Sequence, residues 1–326
     1  MPVHNADKYV GVAIESILNQ TFSNFELLII NDGSTDNSAT IIHSYKDARI
    51  RYVENNGNLG LIKTLNYGLT LAQGDFIARM DADDISQPFR LEKQVEFMTK
   101  NPHIGVCGTW IRTFGANSYT NKYPTNSDEI KSELLFQTSI GHATTMIRKD
   151  IIKKFNIQYD PNYSHAEDYE LWTRISESIE FANIPDILYR YRIHNQSVSN
   201  AHANTQLYNA RRVRARELRK IDIEPSETNL TLHTKLTRPS NVDIDSFLNA
   251  KEIWLHKIIA QNKIIHKYNE NALLNTVKNH WLFVCNSNTK HGFGVWRRYQ
   301  KSDLRQNFIT NNSPQIKFLI KCLIKI

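Results

Sequence analysis

Ala78-Arg79-Met80-Asp81-Ala82-Asp83-Asp84 is the stretch on which the reading of this chain turns. It follows Gly74-Asp75-Phe76-Ile77, which reads as the start of a buried strand, so three carboxylates arrive where that strand ends. In an open α/β sheet, ligands sit at the carboxyl ends of the strands. Asp81 and Asp83 are two apart, and extended backbone projects them to the same side. Two carboxylates on one side suit a hard divalent cation, Mg²⁺ or Mn²⁺, which takes few protein oxygens and leaves room for substrate phosphates. Taken alone, the same pattern also fits a solvated acidic turn that closes a strand and caps a helix starting near Pro88.

Working outward, strand and helix patterns alternate upstream. Met1-Pro2-Val3-His4 reads as the tail of a strand, shorter than the usual five or six residues, so the expectation is a truncated first strand. Lys8 to Asn19 carries apolar residues at helical spacing. Phe25-Glu26-Leu27-Leu28-Ile29-Ile30 is a near-continuous apolar run, as a strand buried on both faces requires. It ends in Asn31-Asp32-Gly33-Ser34-Thr35-Asp36, a turn rich in capping residues. A helix to about Tyr45, a strand at Ile50–Val53 and a helix opened by Asn58-Leu59-Gly60 follow. This alternation predicts right-handed crossovers and a mainly parallel sheet flanked by helices. The polar turns after the first, second and fourth strands then share one sheet edge, which favours the functional reading of Asp81 and Asp83. No G-x-G-x-x-G or G-x-x-x-x-G-K-[ST] pattern occurs, which argues against a dinucleotide fingerprint and a P-loop.

Downstream, the pattern predicts a helix over Pro88–Lys100, strands at Ile104–Trp110 and His142–Arg148, and a polar loop over the site at 115–130. Glu167-Asp168 opens a helix that Leu171, Trp172 and Ile175 anchor. Acidic residues there also simply complement a helix dipole. Strands at Phe181–Ile184 and Leu188–Arg192 close the first domain, taken as residues 1–200. Residues 201–326 read as a second, basic and mostly helical region, ending in the apolar, lysine-spaced segment Ile316–Ile326. That end suits a packed terminal helix or one lying on a membrane.

The 326 residues, 40% hydrophobic and 22% charged, describe a globular protein with an ample core. Residues 201–326 carry 21 Lys and Arg against 9 Asp and Glu, a net +12, which leaves 19 against 24, a net −5, for residues 1–200. Two regions with different partners are the expectation. Cys107, Cys285 and Cys322 are far apart and odd in number, with neither a disulfide framework nor metal spacing, which fits a reducing compartment. No apolar run approaches the length of a membrane span, and the N-terminus has no signal pattern. The expected location is cytoplasmic, with peripheral contact at the inner face of the cell membrane as an extension.

Five motifs together resemble the family 2 glycosyltransferases of GT-A (Rossmann-like) fold. They are Pro2-Val3-His4-Asn5, Asn31-Asp32-Gly33-Ser34-Thr35-Asp36, Asn58-Leu59-Gly60, Met80-Asp81-Ala82-Asp83-Asp84 and Glu167-Asp168-Tyr169-Glu170-Leu171-Trp172. The resemblance covers roughly residues 1–200. It implies inverting transfer of a sugar from a nucleotide-diphosphate donor, most simply a UDP-sugar, to a hydroxyl on a glycan or lipid-linked acceptor, in cell-surface polysaccharide or glycolipid synthesis. Pro2 and His4 would line the base pocket, His4 standing where the family often has a stacking aromatic. Asp32 would accept from the base. Asp81 would approach the ribose and the Mn²⁺ or Mg²⁺, and Asp83 would bind the metal directly, with His194 as a further ligand. Asp168 would be the catalytic base, with Glu167 beside it. Many members carry Arg before the asparagine matching Asn66, where this chain has Leu65; Lys63 is the substitute on the same helix. Nucleic acid is not among the implied partners.

Two rival readings stay open on the sequence. A nucleotidyltransferase acting on sugar phosphates would need a Gly-rich basic loop after the first strand, which Asn5-Ala6-Asp7-Lys8 does not supply. A non-catalytic interaction protein that kept the fold conflicts with the intact Asp81, Asp83 and Asp168.

Overall fold

The computed structural model describes residues 1–194, 202–306 and 313–325, with side chains of the last stretch described from Ile316 onward. Leu27–Asn31 (β2) is the centre of a three-stranded parallel sheet, between Pro2–Val3 (β1) and Ile50–Glu54 (β3). Pro2 stands opposite Ile30, and Leu27 opposite Ile50. Helices Val10–Leu18 (α1) and Ser38–Ser44 (α2) make its two crossovers, and Leu61–Leu71 (α3) leads out of it. α1 forms because Val10, Ala13, Ile14 and Ile17 recur on one face, and all four are buried.

The next strand does not join this sheet. Phe76–Ala78 (β4) pairs antiparallel with a later strand and opens a second sheet. That sheet also holds Ile85–Ser86 (β5), Ile104–Gly115 (β6), Thr120–Asn121 (β7), Met146–Arg148 (β8) and Glu180–Ile193 (β9). Its order is β4-β8-β6-β9-β5, with β7 on β6; only β6 and β9 are parallel. The mainly parallel pairing expected thus covers the first three strands and the β6–β9 pair. β9 runs unbroken where two strands were expected, because the ladder steps from Ile184 to Ile187 and bulges out Pro185 and Asp186. Proline lacks the N–H a central ladder position needs, and a bulge removes the need. The segment His142–Thr144 is a tight 3₁₀ turn, which leaves only Met146–Arg148 extended. Arg90–Lys100 (α4), Ser127–Glu133 (α5), Lys149–Lys154 (α6) and Glu167–Ile175 (α7) complete this part. Both sheets contribute to the walls of an apolar cavity of ≈ 550 Å³, among them Leu28, Ile30, Phe76 and Ala78.

The chain divides into two compact units, Met1–Ile130 with Gln137–Ala210, and Lys131–Phe136 with Arg211–Ile326. The second contains Glu227–Thr234 (α9), Ile244–Ile265 (α10), Glu270–Asn286 (α11), Phe293–Lys301 (α12) and Ser313–Ile324 (α13), after Ala203–Arg219 (α8). Leu135 and Phe136 belong to its core with Leu218, Leu255, Trp281 and Val284. Among the described residues no helix is long and apolar enough to cross a membrane.

This helical core holds buried basic groups. Lys251 is fully buried and donates to the carbonyls of Leu232, His233 and Lys235, capping the end of α9. Burial pulls its ammonium down to about 7. His233 donates from Nε2 to the Leu135 carbonyl at 2.8 Å and accepts from Trp254 at Nδ1, so its neutral tautomer is fixed. Phe136 stacks between His233 and His280, at 4.8 and 4.5 Å between ring centroids. Burial drives His233 down to about 3 and His280 well below its ordinary value. The sign follows directly. The unfolded chain takes up these protons near pH 6.5, the folded chain only at much lower pH, so acid favours unfolding across that window. Each such histidine is expected to remove up to about 1.4 kcal/mol per pH unit below about 6.5. Urea unfolding between pH 7 and 5 is the measurement. His280→Phe keeps the stack and removes one titration, so its stability should fall less steeply with acid; an unchanged slope would show that His280 does not contribute.

Candidate active site

The acidic turn is built around a buried arginine. Arg79 follows β4, and its N–H donates to the Thr145 carbonyl at 2.9 Å, extending the β4–β8 pairing by one residue. Its guanidinium grips Asp81 bidentately, Nη2 to Oδ1 at 2.5 Å and Nη1 to Oδ2 at 2.8 Å, with only 10% of the arginine side chain exposed. Burial opposes the charge on Arg79, but Asp81 together with Tyr189 and Tyr159 outweighs it and raises the guanidinium further above its ordinary value. Arg90, fully buried in α4, donates to the Arg79 carbonyl at 2.7 Å and to Gln94 at 3.0 Å. The Tyr189 hydroxyl accepts from the Asp81 N–H at 3.2 Å. Strand β9 therefore braces the turn from one side and α4 from the other.

Asp83 takes a different partner. Its Oδ2 lies 3.0 Å from Nε2 of His194, just past the end of β9. Arg192 donates from Nε to the Asp83 carbonyl at 2.6 Å and from its backbone N–H to Asp84 Oδ1 at 2.7 Å. Burial first, then the neighbouring Asp81, raises the Asp83 carboxyl, while His194 pulls it back. Burial together with Asp81 and Asp83 pushes Asp84 up to about 9, and its buried Oδ2 has no partner among the described residues. Asp83, raised by burial and by the Asp81 beside it, is the carboxylate here whose charge a bound cation would favour. Asp83 and His194 fit that cation. Their 3.0 Å separation equals the edge of an octahedron with bonds of about 2.1 Å. The imidazole nitrogen favours Mn²⁺ over the more oxygen-seeking Mg²⁺. Asp81, with both oxygens on Arg79, does not gather with Asp83 and His194. Among the described residues, only Glu252, His256 and Asp303 place three such ligand atoms within 4.8 Å of one another, and Arg298 already pairs with Glu252 there.

Glu167 and Asp168 occupy the first turn of α7, which buries Tyr169, Leu171, Trp172 and Ile175. The N-cap is Ala166, so neither carboxylate is the cap itself. Asp168 accepts from the Tyr169 N–H at 2.7 Å and keeps part of its surface open, whereas Glu167 is 6% exposed. Burial first, then Asp168, pushes Glu167 up to about 7. Burial raises Asp168 as well, against the Tyr169 N–H and the charge of Arg79. The Arg79 charge thus acts on both acidic motifs, Asp81 directly and Glu167–Asp168 through space. Tyr159 and the buried His142, joined at 3.0 Å, lie in the same field.

The expected base-binding residues form a separate cluster. Asp32 is buried, and its carboxylate accepts from Asn55 and the N–H groups of Leu59 and Gly60 at 2.8–2.9 Å. Burial works against its charge, but these donors and Thr64 prevail and hold the carboxyl below the usual range. Asp32 therefore fastens the 58–60 turn, with part of its acceptor capacity left. Gly33, at φ +68°, approaches so closely that a Cβ there would sit 2.4 Å from the Gly57 backbone. His4 Nδ1 donates to the Asp32 carbonyl at 2.9 Å, which leaves Nε2 to accept from Asn58 at 3.1 Å. Pro2 is half-buried in β1. Lys63 is exposed on α3, and Leu65 is buried. Asn66 spends both ends of its amide on the Tyr159 backbone. Sequence reasoning missed Arg79, Arg90, Tyr189 and Arg192. Arg79 alone left a signal, a lone cation in an otherwise apolar strand pattern.

A three-stranded parallel half, a curled mainly antiparallel half and an acidic turn at the end of β4 define the GT-A class of glycosyltransferases. The family model described as Glycosyl transferase family 2 matches residues 1–157. The chain is 41% identical over 207 residues to the O-antigen biosynthesis glycosyltransferase WbnJ of Escherichia coli, covering 60% of this chain and 79% of that one. It is 31% identical over 201 residues to WfgD of Escherichia coli, a UDP-Glc:alpha-D-GlcNAc-diphosphoundecaprenol beta-1,3-glucosyltransferase, covering 61% and 78%. The structure of S. aureus TarS residues 1–349 in complex with UDP has a TM-score of 0.56 at 18% identity, covering 87% and 88%, a likeness of fold. The chain belongs to the family 2 glycosyltransferases and is a glycosyltransferase.

Proposed function

We propose that the protein transfers a sugar, with inversion, from a UDP-sugar to a hydroxyl of a glycan or lipid-linked acceptor in cell-surface glycan synthesis, with residues 1–200 as its catalytic domain. The observation that carries this reading is the acidic turn after β4, where Arg79 fixes Asp81 and Asp83 lies 3.0 Å from His194. UDP appears in the name of one relative and in the TarS complex, and the former's acceptor is lipid-linked. Each residue is proposed for the role the family resemblance gives it. Pro2, His4 and Asp32 frame the base, and Lys63, exposed on α3, meets the nucleotide's negative charge. Asp81, fixed by Arg79, is positioned for the ribose. Asp83 and His194 would hold Mn²⁺, which when bound supplies Lewis-acid neutralisation of the diphosphate leaving group. Asp168 takes the proton of the attacking hydroxyl, because burial raises its carboxylate above its ordinary value and so makes it a stronger base. Glu167, buried and near 7, supports it. Peripheral attachment to a membrane through the basic C-terminal region completes the reading.

The test is a panel of sugar nucleotides assayed for hydrolysis and transfer. One UDP-sugar is expected to turn over with Mn²⁺ and to stop with a chelator. Turnover of none, or formation of sugar nucleotides from sugar phosphates, would overturn the reading.

A further inference from the structure

We propose that the outward face of the terminal helix α13 docks on an anionic lipid bilayer. This deepens the membrane attachment above by naming the surface, and it stands apart from the donor and acceptor chemistry. The helix carries two apolar faces. Phe318 and Cys322 point inward and are 2% and 1% exposed. Phe318 packs edge-on against Trp296 and Tyr299 of α12, at 5.2 and 5.3 Å. That face is therefore satisfied. Ile316, Ile320, Leu323 and Ile324 lie on the opposite side, 47–60% exposed. At 100° per residue these four fall within about a third of the helix circumference. Lys317 and Lys321, both exposed, run along the flank of this stripe, and exposed Lys325 follows the helix end.

Scattered exposed aliphatics need no explanation, but four on one face of one helix do. A helix built to finish a core would place polar residues outward. An apolar stripe with lysines along its flank is the pattern of a helix lying in a lipid interface, its aliphatics among the acyl chains and its lysines at the headgroups. Charge complementarity decides between occupants. Residues 201–326 carry a net +12, and no acidic residue lies between Gln306 and Ile326. A second copy would bring the same lysines against these, and like charges would oppose pairing. An anionic membrane supplies the opposite sign.

Co-sedimentation with vesicles tests this without any substrate. The full chain should pellet with vesicles of 30% phosphatidylserine in phosphatidylcholine at low salt. It should pellet far less with phosphatidylcholine alone, and binding should weaken several-fold at 0.5 M NaCl. The double charge reversal Lys317→Glu/Lys321→Glu should lower binding at least about tenfold, because each basic residue contributes about fivefold at an anionic surface. Ile320→Ser/Leu323→Ser should weaken it too while leaving the melting temperature unchanged, since both side chains are exposed. Equal binding by wild type and the charge variant, or none to anionic vesicles at low salt, would overturn the proposal. So would a concentration-dependent dimer lost in Ile320→Ser/Leu323→Ser, which would assign the face to a second copy. Vesicle binding without glycosyl transfer would leave this inference standing and remove the donor reading; transfer without vesicle binding would do the reverse.

Discussion

Asp168→Asn is expected to fold normally, bind UDP normally and lose transfer by about 10²–10⁴-fold, the range for removal of a general base. The amide keeps an oxygen to accept from the Tyr169 N–H, so that hydrogen bond survives. It cannot accept a proton from a hydroxyl. The alternative, that the carboxylate only complements the start of α7, forecasts a small effect, because Asn serves nearly as well at a helix start. The structure sharpens this contrast: Ala166 is the N-cap, so a capping role for Asp168 is already reduced. Near-normal transfer by the Asn variant would move the base elsewhere, with Glu167 first to be tested. The pH profile is a second readout. Asp168 is raised by burial, so the rate of wild type should climb through a pKa above the ordinary carboxylate range, and that limb should vanish in the variant.

What the sequence revealed was local. The periodicity of α1 and the apolar run of β2 reflect burial of each residue against its near neighbours, and period and composition report that directly. The acidic turn after β4 was legible for the same reason. Partner choice was not. β4 pairs with β8, about 70 residues later in the chain, and nothing in Phe76-Ile77-Ala78 specifies antiparallel pairing with Met146-Ile147-Arg148. Continuity of β9 through Pro185 depends on a bulge opposite Trp110, again a property of the pair. Lys131–Phe136 falls inside the stretch read as the first domain, yet Leu135 and Phe136 sit in the second unit's core, beside residues more than 80 positions away. The site shows the same division. Residue types capable of the chemistry stood out, but their pairings did not. Asp81 and Asp83 look equivalent in a D-x-D pattern, and only the folded chain gives one to Arg79 and the other to His194.

That asymmetry makes the two aspartates separable by experiment. Asp83→Ala is expected to abolish the Mn²⁺-dependent part of UDP binding, at least about a hundredfold in affinity, since even outer-shell changes at metal sites cost about 10–100-fold. The loss has two sources. The carboxylate itself is removed, and His194 loses the partner that holds its ring at 3.0 Å. Folding should be little affected. Burial and Asp81 both work against the charge on Asp83, so its removal relieves repulsion, and the Asp83 carbonyl still accepts from Arg192. Arg79→Met is the counterpart. It leaves Asp81 half-buried without its cation, a change expected to cost about 3–5 kcal/mol of stability. Asp83→Ala should therefore lose metal-dependent binding at a normal melting temperature, and Arg79→Met should lose stability first. Calorimetry with UDP, with and without Mn²⁺, paired with thermal melts of both variants, distinguishes the roles. Metal-dependent UDP binding that persists in Asp83→Ala would take Asp83 out of the site and leave the acidic turn a structural brace built on Arg79.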